Sequence, residues 1–123
     1  MPHGRNTNEY RIVKKNYPYL SDAIAGVIGW VCPRFLAEGL ITESQKAEAC
    51  NDRNPANARA SAVTGLLLNK VEQDAQNFQT LVGVLRQDVD TFGVVLRQMG
   101  VADTVGEYKA KFSMVLNSLI STL

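Results

Sequence analysis

The chain has 123 residues, of which 46% are apolar, so it is long enough for one domain with its own hydrophobic core. The 13 Lys and Arg residues nearly balance the 12 Asp and Glu residues, and a formal charge of +1 gives no overall attraction to nucleic acid or to an anionic membrane. Two cysteines are too few for a disulfide framework and favour a reducing compartment, so we expect a cytoplasmic protein.

Residues 1–8 show no helical apolar period, and residues 1–19 are predicted to be a flexible N-terminal arm. Arg5, Arg11, Lys14 and Lys15 make this arm basic. The longest apolar run, residues 23–32, follows it. This run is shorter than the roughly 20 residues that a membrane span needs, and no signal-peptide cleavage pattern follows it.

From Leu20 onward, apolar residues recur at helical spacing and predict a first helix. Gly26 and Gly29 weaken its middle and permit a kink, and Pro33 is expected to end or bend it. A short second helix, at about residues 34–38, should stop at Gly39. The apolar face of the first helix consists of Leu20, Ile24, Val27, Ile28 and Val31.

Start signals for further helices follow along the chain. Thr42 and Gln45 form a capping box that predicts a third helix over about residues 43–50. Asn54 and Pro55 predict the start of a fourth helix. Asp74 and Asp88 are predicted to cap a fifth and a sixth helix, and a second capping box, Thr104 to Glu107, opens a final amphipathic segment.

No stretch alternates apolar and polar residues in the way of a half-buried strand. The predicted fold class is therefore all-α: a six-helix antiparallel bundle over residues 20–100, followed by a C-terminal amphipathic helix within residues 101–123.

Residues for catalysis, cofactor binding or metal binding are not predicted. The one histidine, His3, lies in the predicted arm, where no partner would hold it in place. There is no phosphate-binding glycine loop, no nucleophile elbow and no cysteine pair at zinc spacing. Cys32 and Cys50 are best interpreted as small buried side chains.

The charges divide along the chain. Glu38, Glu43, Glu48 and Asp52 make the second and third predicted helices acidic, whereas basic residues concentrate in the N-terminal arm and on other helices. Two copies, or two related domains, would then be able to meet acidic face to basic face in a head-to-tail contact that need not close, which gives a filament.

The segment from Leu20 to Met99 resembles a caspase-recruitment domain (CARD), a member of the death-fold superfamily. The matching features are a first helix interrupted at Gly26 and Gly29, the junction Gly39-Leu40-Ile41-Thr42-Glu43, residues 57–60 leading into 66–71, Phe78, and the run 81–86. The segment from Val105 to Leu123 extends beyond the usual end of such a domain.

The resemblance implies a non-enzymatic adaptor of apoptotic or innate immune signalling that binds other death-fold domains homotypically. It implies a Greek-key bundle and a contact between a basic patch on the first and fourth helices and an acidic patch on the second and third. By position, the basic residues are Lys15, Arg59 and Lys70, and the acidic residues are Glu38, Glu43, Glu48 and Asp52.

Two alternatives remain open from the sequence. The first is a small helical nucleic-acid-binding or regulatory module that uses the basic N-terminal arm; the neutral total charge speaks against it. In the second, the final amphipathic segment is the functional part and docks in a partner's groove, instead of covering the core of its own bundle.

Overall fold

The computed structural model describes residues 7–25, 28–49, 51, 53–98 and 105–121, and every regular element within these ranges is an α-helix. This confirms the predicted all-α class. The described helices are α1 (Asn8–Lys15), α2 (Tyr17–Ala25), α3 (Ile28–Ala37), α4 (Glu43–Ala49), α5 (Ala56–Gln73), α6 (Gln76–Gln98) and α7 (Val105–Ser121).

Helix α1 lies in the segment for which the sequence predicts a flexible arm, and that prediction is wrong for residues 8–19. The Thr7 hydroxyl caps α1 by accepting a hydrogen bond of 3.3 Å from the amide of Tyr10. Tyr10, Ile12 and Val13 are buried, and α1 packs against α5. Because the apolar side chains of α1 join the core, the segment is ordered by tertiary contacts that its short apolar pattern does not reveal.

Helix α3 runs through Pro33 to Ala37, so the predicted end at this proline and the separate helix predicted at about residues 34–38 are wrong. Pro33 cannot donate to the carbonyl of Gly29, one turn earlier, and its ring crowds that carbonyl. Both residues lie on the exposed side of α3, where the carbonyl can tilt towards water. Gly26, which was predicted to permit a kink in the first helix, lies outside the described residues.

The turn between α3 and α4 follows the sequence signals closely. Gly39 has a φ of 77° and closes α3 in a Schellman motif. In this motif the amide of Gly39 donates to the carbonyl of Leu36 at 3.1 Å, and the amide of Leu40 donates to the carbonyl of Phe35 at 2.9 Å. The predicted stop at Gly39 is confirmed.

The predicted capping box at the start of α4 is confirmed as well. The Gln45 amide donates to the Thr42 hydroxyl oxygen at 3.1 Å, and the Thr42 amide donates to the Gln45 side-chain oxygen at 2.9 Å. These reciprocal bonds satisfy two amides that the first turn of a helix otherwise leaves unpaired.

Helices α5 and α6 are joined by a tight turn. Helix α5 begins one residue later than the Asn54-Pro55 signal predicts, because Pro55 occupies the capping position. Asp74 accepts a 2.9 Å bond from the amide of Gln76 and so caps α6 as predicted. The separate sixth helix predicted from Asp88 is wrong: α6 continues to Gln98, and the sequence from Val84 to Phe92 contains no glycine or proline to interrupt it.

Helix α2 contacts α1, α3, α5 and α7, while α6 packs mainly against α7. The Tyr17 hydroxyl donates to the carbonyl of Ser61 at 2.6 Å and fixes the start of α2 on α5. The described part of α7 contributes Val115, Leu116 and Leu119 to the same hydrophobic core as the other helices. The largest fully buried side chains of this core are Phe35, Phe78, Leu20, Ile24, Leu40, Ile41, Leu67, Leu81 and Leu85.

Candidate protein-interaction surfaces

Three of the four predicted acidic residues lie around the α3–α4 junction. Glu38 is exposed in the turn that follows α3, and Glu43 and Glu48 are exposed on α4. The Schellman motif at Gly39 and the capping box at Thr42 fix the backbone on both sides of this turn. We call Glu38, Glu43 and Glu48 the acidic surface. Asp52, the fourth predicted residue, lies outside the described residues.

Two cations lie beside the acidic surface. Lys46 is half-buried on α4 and lines a shallow pocket together with Leu36, Glu43 and Ala47. Arg34 is half-buried on α3 and lines a second pocket together with Glu38. The three carboxylates outnumber the two cations, so the surface has a net negative charge. The apolar side chains in the first pocket allow a partner to bury a short aliphatic stem beside the carboxylates.

The predicted basic residues lie on α1 and α5. Lys15 is exposed in the last turn of α1, and Arg59 and Lys70 are half-buried on α5. Eleven residues separate Arg59 from Lys70, which places them on the same side of α5 but about 16 Å apart along its axis. Helix α1 packs on α5, so the three cations are spread over two neighbouring helices. We call Lys15, Arg59 and Lys70 the basic surface.

The sequence analysis missed a pocket between α2 and α7. It has a volume of about 250 Å³ and is lined by Asn16, Tyr19, Met114, Val115 and Ser118. The hydroxyl of Ser118 donates to the side-chain oxygen of Asn16 at 2.7 Å, and the side-chain amide of Asn16 donates to the carbonyl of Ile12 at 2.8 Å. Met114 gives a signal in the sequence, because it is a large apolar residue outside the helical register of Val115 and Leu119.

Other classes of site find no support in the described ranges. In residues 7–25, 28–49, 51, 53–98 and 105–121, no three His, Cys, Asp or Glu side chains converge to hold a metal ion. None of the helices in that part of the chain combines the length and the apolar character that crossing a bilayer demands. Cys32 is buried in the hydrophobic core.

Comparison of the chain with known proteins produced no match to a protein-family model, to a curated protein or to a solved structure.

Proposed function

We propose that this chain is a non-enzymatic interaction module that binds domains of its own kind, and that it works as a CARD-like member of the death-fold superfamily in cytosolic signalling. The observation that carries the proposal is an excess of carboxylates at one pair of helices and an excess of cations at another. The acidic surface lies on the α3–α4 junction, and the basic surface lies on α1 and α5.

This division matches the contact that the family resemblance implies. In such a contact, an acidic patch on the second and third helices of one domain meets a basic patch on the first and fourth helices of the next. Helices α3 and α4 supply the acidic patch, and α5 supplies Arg59 and Lys70 of the basic patch. Lys15 lies on α1, before the segment that resembles the family. Since the acidic patch of one domain would meet the basic patch of the next, the contact is head-to-tail and can repeat into a filament.

The local structure supports a role for the turn between α3 and α4 in recognition. Gly39 adopts a left-handed conformation that brings Glu38 and Glu43 to the two sides of one tight turn. The junction from Gly39 to Glu43 is also the segment that most resembles the CARD family. A rigid turn presents charge with little loss of conformational entropy on binding, which favours affinity.

Charge reversal at single exposed residues tests this proposal. Glu48→Lys reverses one charge of the acidic surface, and its position near the C-terminal end of α4 suits a lysine because the helix dipole favours cations there. Lys15→Glu reverses one charge of the basic surface. Gln79→Lys, which adds a cation at an exposed position of α6, is the matched control.

Light scattering and negative-stain microscopy should show that the unmodified chain assembles, with less assembly as salt concentration rises. We expect each reversal to weaken assembly by roughly tenfold or more, and the double variant to recover part of the loss, because interfacial charge pairs couple by ~1–3 kcal/mol. The control should assemble normally. A chain that stays monomeric at high concentration, alone and when mixed with CARD domains, would contradict the proposal.

A further inference from the structure

Two large apolar side chains are exposed among the described residues, and both line the same pocket. Tyr19 on α2 is 59% exposed and Met114 on α7 is 60% exposed. Beneath them, Val115 is buried, and Asn16 and Ser118 are hydrogen-bonded to each other. Two exposed apolar residues that converge on one concave site are typical of a protein contact, whereas scattered single ones need no explanation.

The two helices that carry this site run antiparallel. Asn16 contacts Ser118 at one end of the seam between α2 and α7, and Asp22 forms an ion pair of 3.4 Å with Lys111 at the other end. Tyr19 lies three residues before Asp22, and Met114 lies three residues after Lys111. Residues at this spacing share a helix face, so each helix presents one apolar and one charged side chain, with opposite charges on α2 and α7.

We propose that this face pairs with the same face of a second copy of the chain, around a two-fold axis parallel to the α2–α7 seam. Such a rotation places α2 of one copy over α7 of the other while it preserves the level of each residue along the seam. Tyr19 then meets Met114 of the second copy, and Asp22 meets Lys111 of the second copy. The aromatic ring and the thioether sulfur attract each other, and the opposite charges meet at the same end.

Charge complementarity favours a second copy of the chain as the partner that binds this face. The face carries one carboxylate and one ammonium group at its charged end, so it is complementary to itself and gives no preference for a strongly acidic or basic partner. Asp22 remains 67% exposed while it contacts Lys111, which leaves its carboxylate accessible to a second cation. A two-fold axis across the seam would instead place α2 on α2 and lose both complementary contacts.

The contact is small, because few side chains contribute to it, and we expect a weak dimer that forms with rising concentration. Sedimentation equilibrium of the full chain, from micromolar to millimolar concentration, should show the mass rising from one chain towards two. Met114→Glu should weaken the dimer by roughly tenfold or more, because it introduces a carboxylate into an apolar contact. Asn69→Glu, which adds the same group at an exposed position of α5, should leave the dimer unchanged.

Cysteine cross-linking tests the direction of the axis. A chain with Tyr19→Cys, mixed with a chain with Met114→Cys, should form a mixed disulfide faster than either variant forms one with itself. Faster self-cross-linking of Tyr19→Cys would overturn the proposed axis. A chain that remains monomeric at millimolar concentration, or a dimer that Met114→Glu does not affect, would overturn the proposal and leave this face to a different protein.

The dimer and the assembly described under Proposed function use different residues, so the two fail separately. Glu48→Lys should reduce the larger assemblies and leave the dimer intact. Met114→Glu should weaken the dimer and leave the larger assemblies intact. If Met114→Glu abolished both, the α2–α7 face would be part of the larger assembly, and the independent two-fold dimer would be wrong.

Discussion

Two single substitutions, Gly39→Ala and Gly83→Ala, should change the stability of this chain in opposite directions. Gly39 ends α3 with a φ of 77°, and Gly83 lies within α6. A Cβ atom added at either position would meet no atom within 4 Å. Steric contact is therefore equal in the two variants, and only the backbone conformation distinguishes them.

The expected magnitudes follow from that conformation. In the left-handed region a Cβ atom approaches the following carbonyl oxygen, so Gly39→Ala should lower the free energy of unfolding by about 1–2 kcal/mol. In a helix, alanine is favoured over glycine by about 1 kcal/mol, so Gly83→Ala should raise the free energy of unfolding by about 0.5–1 kcal/mol. The two variants should therefore differ by about 2 kcal/mol.

Urea unfolding followed by circular dichroism measures both changes. Similar slopes against urea concentration would show that the substitutions act on stability and not on the extent of unfolding. For a chain of this size, a difference of about 2 kcal/mol corresponds to a separation of very roughly 6–10 °C between the two melting temperatures. Changes of the same sign in both variants would refute the assignment of Gly39 to a left-handed turn, and with it the geometry of the acidic surface.

Two further predictions concern the place of α7 in the fold. Leu119→Ala should lower the free energy of unfolding by about 2–5 kcal/mol because Leu119 is fully buried, whereas Met114→Ala, in the same helix but exposed, should change it by less than about 0.5 kcal/mol. Thermal unfolding at low protein concentration compares the two variants. Equal effects on stability would show that α7 is not packed as described. Asn16→Ala and Ser118→Ala should show a coupling of about 1 kcal/mol in a double-mutant cycle, because their side chains form a hydrogen bond of 2.7 Å across the α2–α7 seam; strictly additive effects would contradict that bond.

Local signals in the sequence predicted the elements whose ends depend on nearby residues. Thr42 and Gln45 mark the start of α4, Asp74 caps α6, and Gly39 ends α3. In each of these cases, a side chain or a conformational preference acts within a few residues. Such effects are readable from the sequence because they require no knowledge of the remaining fold.

The elements that the sequence analysis missed depend on distant contacts. The sequence analysis began the first helix at Leu20 and did not extend its register back to Tyr10 and Val13; α1 is ordered by packing against α5, more than 40 residues later. Pro33 is tolerated inside α3 because it and Gly29 face solvent. Asp88 has the character of a cap but lies within α6, in a stretch from Val84 to Phe92 that contains no glycine or proline.

The candidate surfaces also divide into one that depends on residues close in the sequence and one that depends on distant contacts. The acidic surface was predictable from sequence because a short helix and a tight turn keep its residues close in space. The pocket between α2 and α7 was not predictable, since it joins residues about 100 positions apart. The order of α1 also bears on the nucleic-acid alternative: residues 8–15 of the predicted flexible arm form a helix, and Arg11, Lys14 and Lys15 are exposed on it.

The position of α7 separates its structural role from the proposed recognition. Helix α7 packs against α2 and α6, whereas the acidic surface lies on α3 and α4 and the basic surface on α1 and α5. None of the helices that carry the two charged surfaces is a principal neighbour of α7. Since its buried residues belong to the common core, α7 behaves as part of the bundle and not as a lid over the charged surfaces. Homotypic binding through those surfaces therefore requires no displacement of α7.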